Sequence, residues 1–249
     1  MSAASLPPPE PAAAPQKAPA KRRVSLARLR RALELLDSHS TFLITSHISP
    51  DGDAIGSALA LRHLLADRGK QAQVVLQDPV PAEYVGLPGA DQIAQTPPDI
   101  PAEVAIVVDC ENLGRVGALG PAVERCGDLL VLDHHLSSGR FGRLELRETA
   151  SAACAELLYR LVRLADGLTP EIAECLMAGL VLDTGGFRFP NVTPTTLRVA
   201  AKLVETGAQI PRLYQSIYEN RSFSATKLLG LALASTRSAL EGNVTYAVL

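Results

Sequence analysis

Six side chains of metal-ligating type are spread along this chain: His47, Asp51, Asp53, Asp109, His134 and Asp183. Most of them follow directly on short aliphatic runs that read as β-strands. The first three share the segment Thr45-Ser46-His47-Ile48-Ser49-Pro50-Asp51-Gly52-Asp53, Asp109 ends Val104-Ala105-Ile106-Val107-Val108-Asp109, and His134 lies in Val131-Leu132-Asp133-His134-His135. In open α/β sheets, ligands bind outside the carboxyl ends of the strands. Two imidazoles and four carboxylates gathered there form a mixed nitrogen and oxygen donor set suited to two divalent cations.

Each residue also has an ordinary structural use, so the argument rests on the combination. Asp53 opens a helix and could be a simple N-cap, and Asp51-Gly52 after Pro50 could be a simple turn. Asp109 follows five apolar residues, where a carboxylate is expensive unless something satisfies it. In Asp133-His134-His135, one imidazole can bind a cation while a carboxylate orients it, and the second can face a substrate. As a surface histidine pair the same residues would do neither. Asp183 ends an apolar helix, where the macrodipole disfavours an acid unless a cation compensates. Arg188, five residues on, has the fork geometry for a phosphate oxygen, although a surface ion pair would use it equally well. His39 and His63 have no such context and are expected on solvent-facing helix surfaces. P-loop and G-x-G-x-x-G fingerprints are absent.

The elements that must position these groups can be read from spacing. The chain of 249 residues has 24 basic and 26 acidic side chains, so its charge gives no argument for nucleic-acid or membrane binding. Aromatic residues are only 4% of the chain, which leaves no stacking platform for a long single strand. Four cysteines without a C-x-x-C pair read as reduced thiols in a cytoplasmic setting. Cys110 is the one close enough to Asp109 to be weighed as a ligand, and its softness argues against it. No run is long and apolar enough to cross a membrane. Residues 1–24, rich in Ala and Pro and ending in Lys21-Arg22-Arg23, are expected to be a disordered tail.

Helices are predicted over 26–36 (capped by Ser25, with Leu26, Leu29, Leu33 and Leu36 at helical spacing), 54–67, 120–126, 152–165, 170–182, 195–205, 211–218 and 224–240. Strands are predicted over 41–46, 71–76, 104–108, 128–132, 143–146 and 243–249, with a short one near Tyr84. The fold class is therefore α/β: a mainly parallel sheet with helices on both faces, followed by a helical C-terminal half.

Taken together, four segments in order resemble the DHH phosphoesterase superfamily: His-x-x-x-Asp-x-Asp at 47–53, Asp109 after a strand, Asp133-His134-His135, and a late Asp183. The likeness spans roughly residues 26–240. It is closest to the nano-RNase group of oligoribonucleases that also act as pAp phosphatases, through Ser49-Pro50-Asp51-Gly52-Asp53-Ala54-Ile55-Gly56-Ser57 and Asp183-Thr184-Gly185-Gly186-Phe187-Arg188-Phe189-Pro190-Asn191. The resemblance implies two manganese ions. His47, Asp51 and Asp109 would hold one, and Asp53, Asp109, His134 and Asp183 the other. Asp133 would sit behind them, and His135 with Arg188 would meet the substrate phosphate.

The implied substrate is a short single-stranded RNA or a small nucleotide. The alternatives are cyclic-di-AMP or pApA as substrate, or an inactive metal- or nucleotide-binding fragment. Dimerisation through the later helices is a further expectation. The family also implies a second domain, DHHA1, with a Gly-Gly-Gly-His-type motif that does not occur in this sequence. Residues 25–240 are accordingly expected to be the catalytic domain, and 241–249 the start of a truncated DHHA1 domain.

Overall fold

The computed structural model describes residues 21–136, 139–239 and 244–247. The expected tail lies outside them apart from residues 21–24, of which Val24 is buried. Helix α1 (Leu26–Ser38) starts where the Ser25 hydroxyl accepts from the Arg28 amide, satisfying one of the donors a helix start leaves free. It turns Leu29, Ala32 and Leu36 inward, a spacing of one helical stripe.

The core is a five-stranded sheet built from β1 (Thr41–Thr45), β2 (Gln71–Val74), β3 (Val104–Val108), β4 (Asp128–Asp133) and β5 (Leu144–Arg147). Its order is β2-β1-β3-β4-β5, and every pairing is parallel. All five residues of β3 are buried, as expected for a central strand covered on both faces.

Period-two alternation sorts the strands' side chains into two cores. Phe42, Ile44, Val104, Ile106, Leu130 and Leu132 face the first core, with residues of α1, α2 (Gly52–Asp67), α4 (Cys154–Leu164) and α5 (Pro170–Asp183). Leu43, Ala105, Val107 and Val131 face the second, under α3 (Gly120–Glu124) and the 3₁₀ turns of Leu113–Leu119. Helices therefore cover both faces, the first with four long helices and the second with one short one.

The chain runs from β1 outward to β2 and then returns to β3 on the other side of β1. Right-handed crossovers leaving in opposite directions place their helices on opposite faces. That opens a crevice above the C-terminal ends of β1 and β3, the switch point where such sheets bind ligands.

Four expectations change. The strand near Tyr84 is a series of turns, with the tyrosine ring buried under Gly52. The helix expected over 211–218 is α7 (Ile210–Tyr214) followed by one wider π-type turn, Gln215–Glu219. The helix expected over 224–240 is α8 (Phe223–Ala234), after which Arg237–Ala239 form β6. That strand pairs antiparallel with β7 (Val244–Tyr246) in a separate two-stranded sheet. Finally, neither histidine expected on a solvent-facing helix surface is a free surface residue: His63 is half-buried, with Nε2 at 2.9 Å from the Pro88 carbonyl, and His39 is the half-buried residue that follows α1, with Nδ1 at 2.9 Å from the Leu35 carbonyl. The helix expected over 195–205 is α6 (Pro194–Thr206), which starts with a reciprocal cap between Thr193 and Thr196. No described helix is long and apolar enough to cross a membrane.

Candidate metal centre

All six candidate ligands meet above the β1–β3 crevice. His47 lies two residues beyond β1 and is almost fully buried. Its Nδ1 is 2.8 Å from the Ile48 carbonyl, so Nδ1 carries the proton and the Nε2 lone pair is free for a cation. Nε2 is 3.7 Å from Asp109 Oδ2.

Asp51, not Asp53, is the N-cap of α2. Its Oδ1 accepts from the amides of Asp53 and Ala54 at 3.0 and 3.1 Å. That places Asp53 inside the first turn, fully buried, with its carboxylate turned toward another helix start. The amide of Cys154 donates to Asp53 Oδ2 at 2.5 Å and that of Ala155 to Oδ1 at 2.9 Å. An acid held by the N-terminus of α4 is favoured by both the free N–H groups and the dipole.

Asp109 has φ +50°, a left-handed conformation that a non-glycine residue holds only when its surroundings enforce it. Its amide continues the ladder to the Leu132 carbonyl at 2.8 Å, so the kink falls at the strand's last bond and turns the carboxylate into the crevice. Oδ1 then lies 3.4 Å from His134 Nε2. The same His134 Nε2 is 3.1 Å from Asp183 Oδ2 and 3.9 Å from Asp53 Oδ2. Asp183 is the last residue of α5, as its spacing predicts.

Three groups have donor atoms within 4.8 Å of one another: His47, Asp51 and Asp109; Asp53, His134 and Asp183; and Asp109, His134 and His135. Atoms bound to one small cation at about 2.0–2.2 Å lie within about 4.4 Å of each other, so only a slight contraction separates these groups from ligation. The chemistry fits a cation. Asp109 Oδ1 and His134 Nε2 are buried without a hydrogen-bond partner, a state that buried polar atoms rarely tolerate.

Proton affinities register the same crowding of charge. Burial raises Asp53 well above the usual carboxylate range, and the charges of Asp109 and Asp183 add to it. Burial also works to raise Asp109, but the imidazoles of His134 and His47 beside it outweigh burial and leave the group lowered. Burial opposes a charge on His134, yet Asp109 and Asp183 override it and lift the imidazole to about 11. Without a cation, then, a proton on His134 supplies the positive charge that the acids require.

Behind the cluster, Asp133 is fully buried and accepts on Oδ1 from the amides of His134 and His135 and, at 2.8 Å, pairs with His135 Nδ1. The His135 side chain is 38% exposed and stands at the mouth of the cluster, 3.6 Å from Asp109 Oδ1. Arg188 is exposed, with its Nε donating to the Gly185 carbonyl at 2.6 Å. It lies on a loop in which Gly185, Gly186 and Phe187 all have positive φ. Gly186 could not carry a side chain, because a Cβ there would fall 2.0 Å from the Tyr214 hydroxyl oxygen. Cys110 is buried with its thiol on the Asn112 carbonyl and belongs to none of these groups.

Several supporting residues have roles that the sequence does not signal, although Asn191 belongs to the Asp183–Asn191 stretch that carries the family resemblance. Asn191 Nδ2 donates to the carbonyls of Ala152 and Asp183, both at 3.0 Å, and so ties the Asp183 helix end to the loop before α4. Glu156 accepts from the Ala152 amide and the Thr196 hydroxyl. Arg147 donates to Asp133 Oδ2 at 2.6 Å. Only distance in space reveals them.

Comparisons with known proteins identify the family. The model described as the DHH family, N-terminal domain, matches residues 41–180, from β1 through most of α5. A protein named bifunctional oligoribonuclease and PAP phosphatase NrnA from Thermus thermophilus is 34% identical over 211 residues, covering 84% of this chain and 63% of that protein. Its namesake from Bacillus subtilis is 26% identical over 208 residues, covering 81% and 63%. Among solved structures, an exopolyphosphatase-related protein from Bacteroides fragilis superposes with a TM-score of 0.80 at 25% identity, covering 86% of this chain and 67% of that one. The chain thus spans a little under two thirds of the length of these curated relatives, 63% in both cases. With the matched region holding His47, Asp51, Asp53, Asp109, His134 and His135, the chain belongs to the DHH family.

Proposed function

We propose that this chain is the catalytic domain of a metal-dependent phosphoesterase that hydrolyses short oligoribonucleotides and pAp. The observation that carries this is the convergence of two donor groups, His47-Asp51-Asp109 and Asp53-His134-Asp183, at one strand edge. Asp109 lies 3.7 Å from a histidine of the first and 3.4 Å from a histidine of the second. His47, Asp51 and Asp109 would hold one divalent cation and Asp53, Asp109, His134 and Asp183 another. The mixed imidazole and carboxylate set suits manganese better than magnesium. When bound, such ions polarise a phosphoryl oxygen and lower the pKa of water.

The remaining work falls to the chain's own residues. Asp133 fixes the His135 ring through Nδ1, which leaves Nε2 to face the substrate, accepting a proton as the neutral ring or donating to a phosphoryl oxygen once protonated. Arg188 sits on the loop that follows Asp183, where a guanidinium can meet phosphate oxygens. Buried Asp53, Asp109 and Asp133 are held by amides and imidazoles and so are aimed before any substrate arrives. The choice of substrate follows the activities named for the relatives from Thermus thermophilus and Bacillus subtilis.

The test is a manganese titration of wild type and Asp109→Ala with phosphate release from pAp, a diribonucleotide and cyclic-di-AMP in parallel. Wild type should prefer pAp or the dinucleotide. Asp109→Ala should lose at least about 10²–10³ of the rate through lost transition-state charge stabilisation and bind manganese more weakly. Unchanged hydrolysis in Asp109→Ala would rule out this centre. Preferential turnover of cyclic-di-AMP would replace the substrate assignment.

A further inference from the structure

We propose that Arg147 is a positioning residue for His135, acting through Asp133 and anchored by Glu145. This rests on the reading above, in which His135 meets the substrate. The last pair in the register between β4 and β5 is Asp133 with Arg147, so the two side chains leave the sheet edge side by side. Arg147 Nη1 donates to Asp133 Oδ2 at 2.6 Å and Nε to Glu145 Oε2 at 3.2 Å. The other oxygen of Glu145 accepts from the amides of Phe141 and Gly142 at 2.6 and 2.8 Å. The guanidinium carbon lies 5.4 Å from the Phe141 ring centroid, within cation–π range.

His134 and His135 hang on Asp133 through their two amides and the His135 ring, and Phe141 and Gly142 hang on Glu145 through theirs. Arg147 joins the two carboxylates. Stability does not explain the arrangement. Both acids are buried and the Arg147 side chain is only 14% exposed, its Nη2 has no hydrogen-bond partner, and a buried ion pair often gains little over apolar residues of similar volume. What the arrangement does supply is direction. With Oδ2 engaged by Arg147, Asp133 can present only Oδ1 to the loop, and an ionised carboxylate there selects the His135 tautomer protonated on Nδ1. Without Arg147, Oδ2 is a buried oxygen lacking a partner, and the carboxylate turns to find one.

The experiment uses the full chain labelled with ¹⁵N-histidine, and His135 is assigned by its loss in His135→Ala. The metal-free protein reports the neutral His135 tautomer by long-range ¹H–¹⁵N correlation. Manganese-loaded protein reports kcat and KM on pAp and a diribonucleotide. Wild type should show the Nδ1–H form. Arg147→Met combined with Glu145→Gln removes the charges together and should shift His135 toward the Nε2–H form. It should also lower kcat about 10- to 100-fold, the usual effect of removing such an outer partner, with KM within about twofold. Arg147→Lys keeps one charge but lacks the fork; it should fall between the two and stands in if the double variant does not fold. A folded variant with wild-type tautomer and wild-type kcat overturns the proposal. Should wild type hydrolyse neither probe, the functional reading fails by itself, and a tautomer shift would still establish the positioning role.

Discussion

Helices α5 and α8 have nearly the same make-up and opposite fates. Pro170–Asp183 contains the apolar run Leu176-Met177-Ala178-Gly179-Leu180-Val181, and Phe223–Ala234 contains Leu228-Leu229-Gly230-Leu231-Ala232-Leu233. Both are predominantly apolar, with no strong division into an apolar and a polar face. Ten consecutive residues of α5, Ile172 to Val181, are buried, and no residue of α8 is, with Phe223 84% and Leu233 63% exposed. An apolar helix gains stability only from what it is packed against, and α5 has α2. Their approach is so close that a Cβ on Gly56 would lie 2.2 Å from the Cys175 carbonyl oxygen, and one on Gly179 2.4 Å from Asp53 Oδ1. The second contact ties packing to chemistry, because the glycine that lets the helices meet also leaves room for a candidate ligand.

This contrast can be broken by substitution. Leu176→Ala, in the fully buried helix, should lower unfolding free energy by about 2–5 kcal/mol, through lost transfer energy plus the cavity left behind, as read by urea denaturation. A loss under about 1 kcal/mol would show that α5 is not the packed core element described. Gly179→Ala should cost about 1–3 kcal/mol by overpacking. It should also weaken manganese binding, since the new methyl meets Asp53; stability and binding that do not fall together would separate the helix contact from the site. Leu231→Ala in α8 should change stability by no more than about 0.5 kcal/mol, as exposed substitutions generally do. A larger loss would mean that α8 is covered in solution.

A pH series sharpens the comparison from the side of the site. His134 is raised to about 11 in the folded metal-free chain, against about 6.5 when unfolded. Its proton-linked stability is complete below about 6.5 and is lost as pH rises through about 11. Bound manganese would take the place of that proton, so its affinity should rise with pH. The gap in Tm between loaded and metal-free protein should therefore widen from pH 6.5 to 9 in thermal melts. A gap that narrows would remove His134 from the cation's ligands. Leu231→Ala should leave this gap unchanged.

Much of the architecture was legible in the chain because local chemistry and global fold agree at those places. The five aliphatic residues before Asp109 make a strand wherever they are buried, and an acid directly after them needs a partner. The predicted start at Pro170 is kept, and the helix expected from 195 starts one residue earlier, at Pro194. Legibility fails where several short-range solutions compete. Near Tyr84, apolar and aromatic residues mimic a strand, but the surrounding Pro and Gly residues favour turns and the ring finds its burial under α2. Residues 235–240 continue a helical pattern from α8, yet Arg237–Ala239 pair with β7, because a backbone partner outweighs weak propensity.

What the sequence alone determined is the inventory and its order: strand, acid or imidazole, helix, repeated until the donor set was complete. Side-chain type and the position after a strand are local properties, and local properties survive in one dimension. Tertiary structure decided which carboxylate caps α2 and which is driven into the interior, that Asp109 turns left-handed at the end of its strand, and that Arg147, Glu145 and Asn191 stand behind the ligands. Those outcomes depend on groups from distant segments meeting where little water remains to satisfy them, and sequence spacing does not encode that meeting.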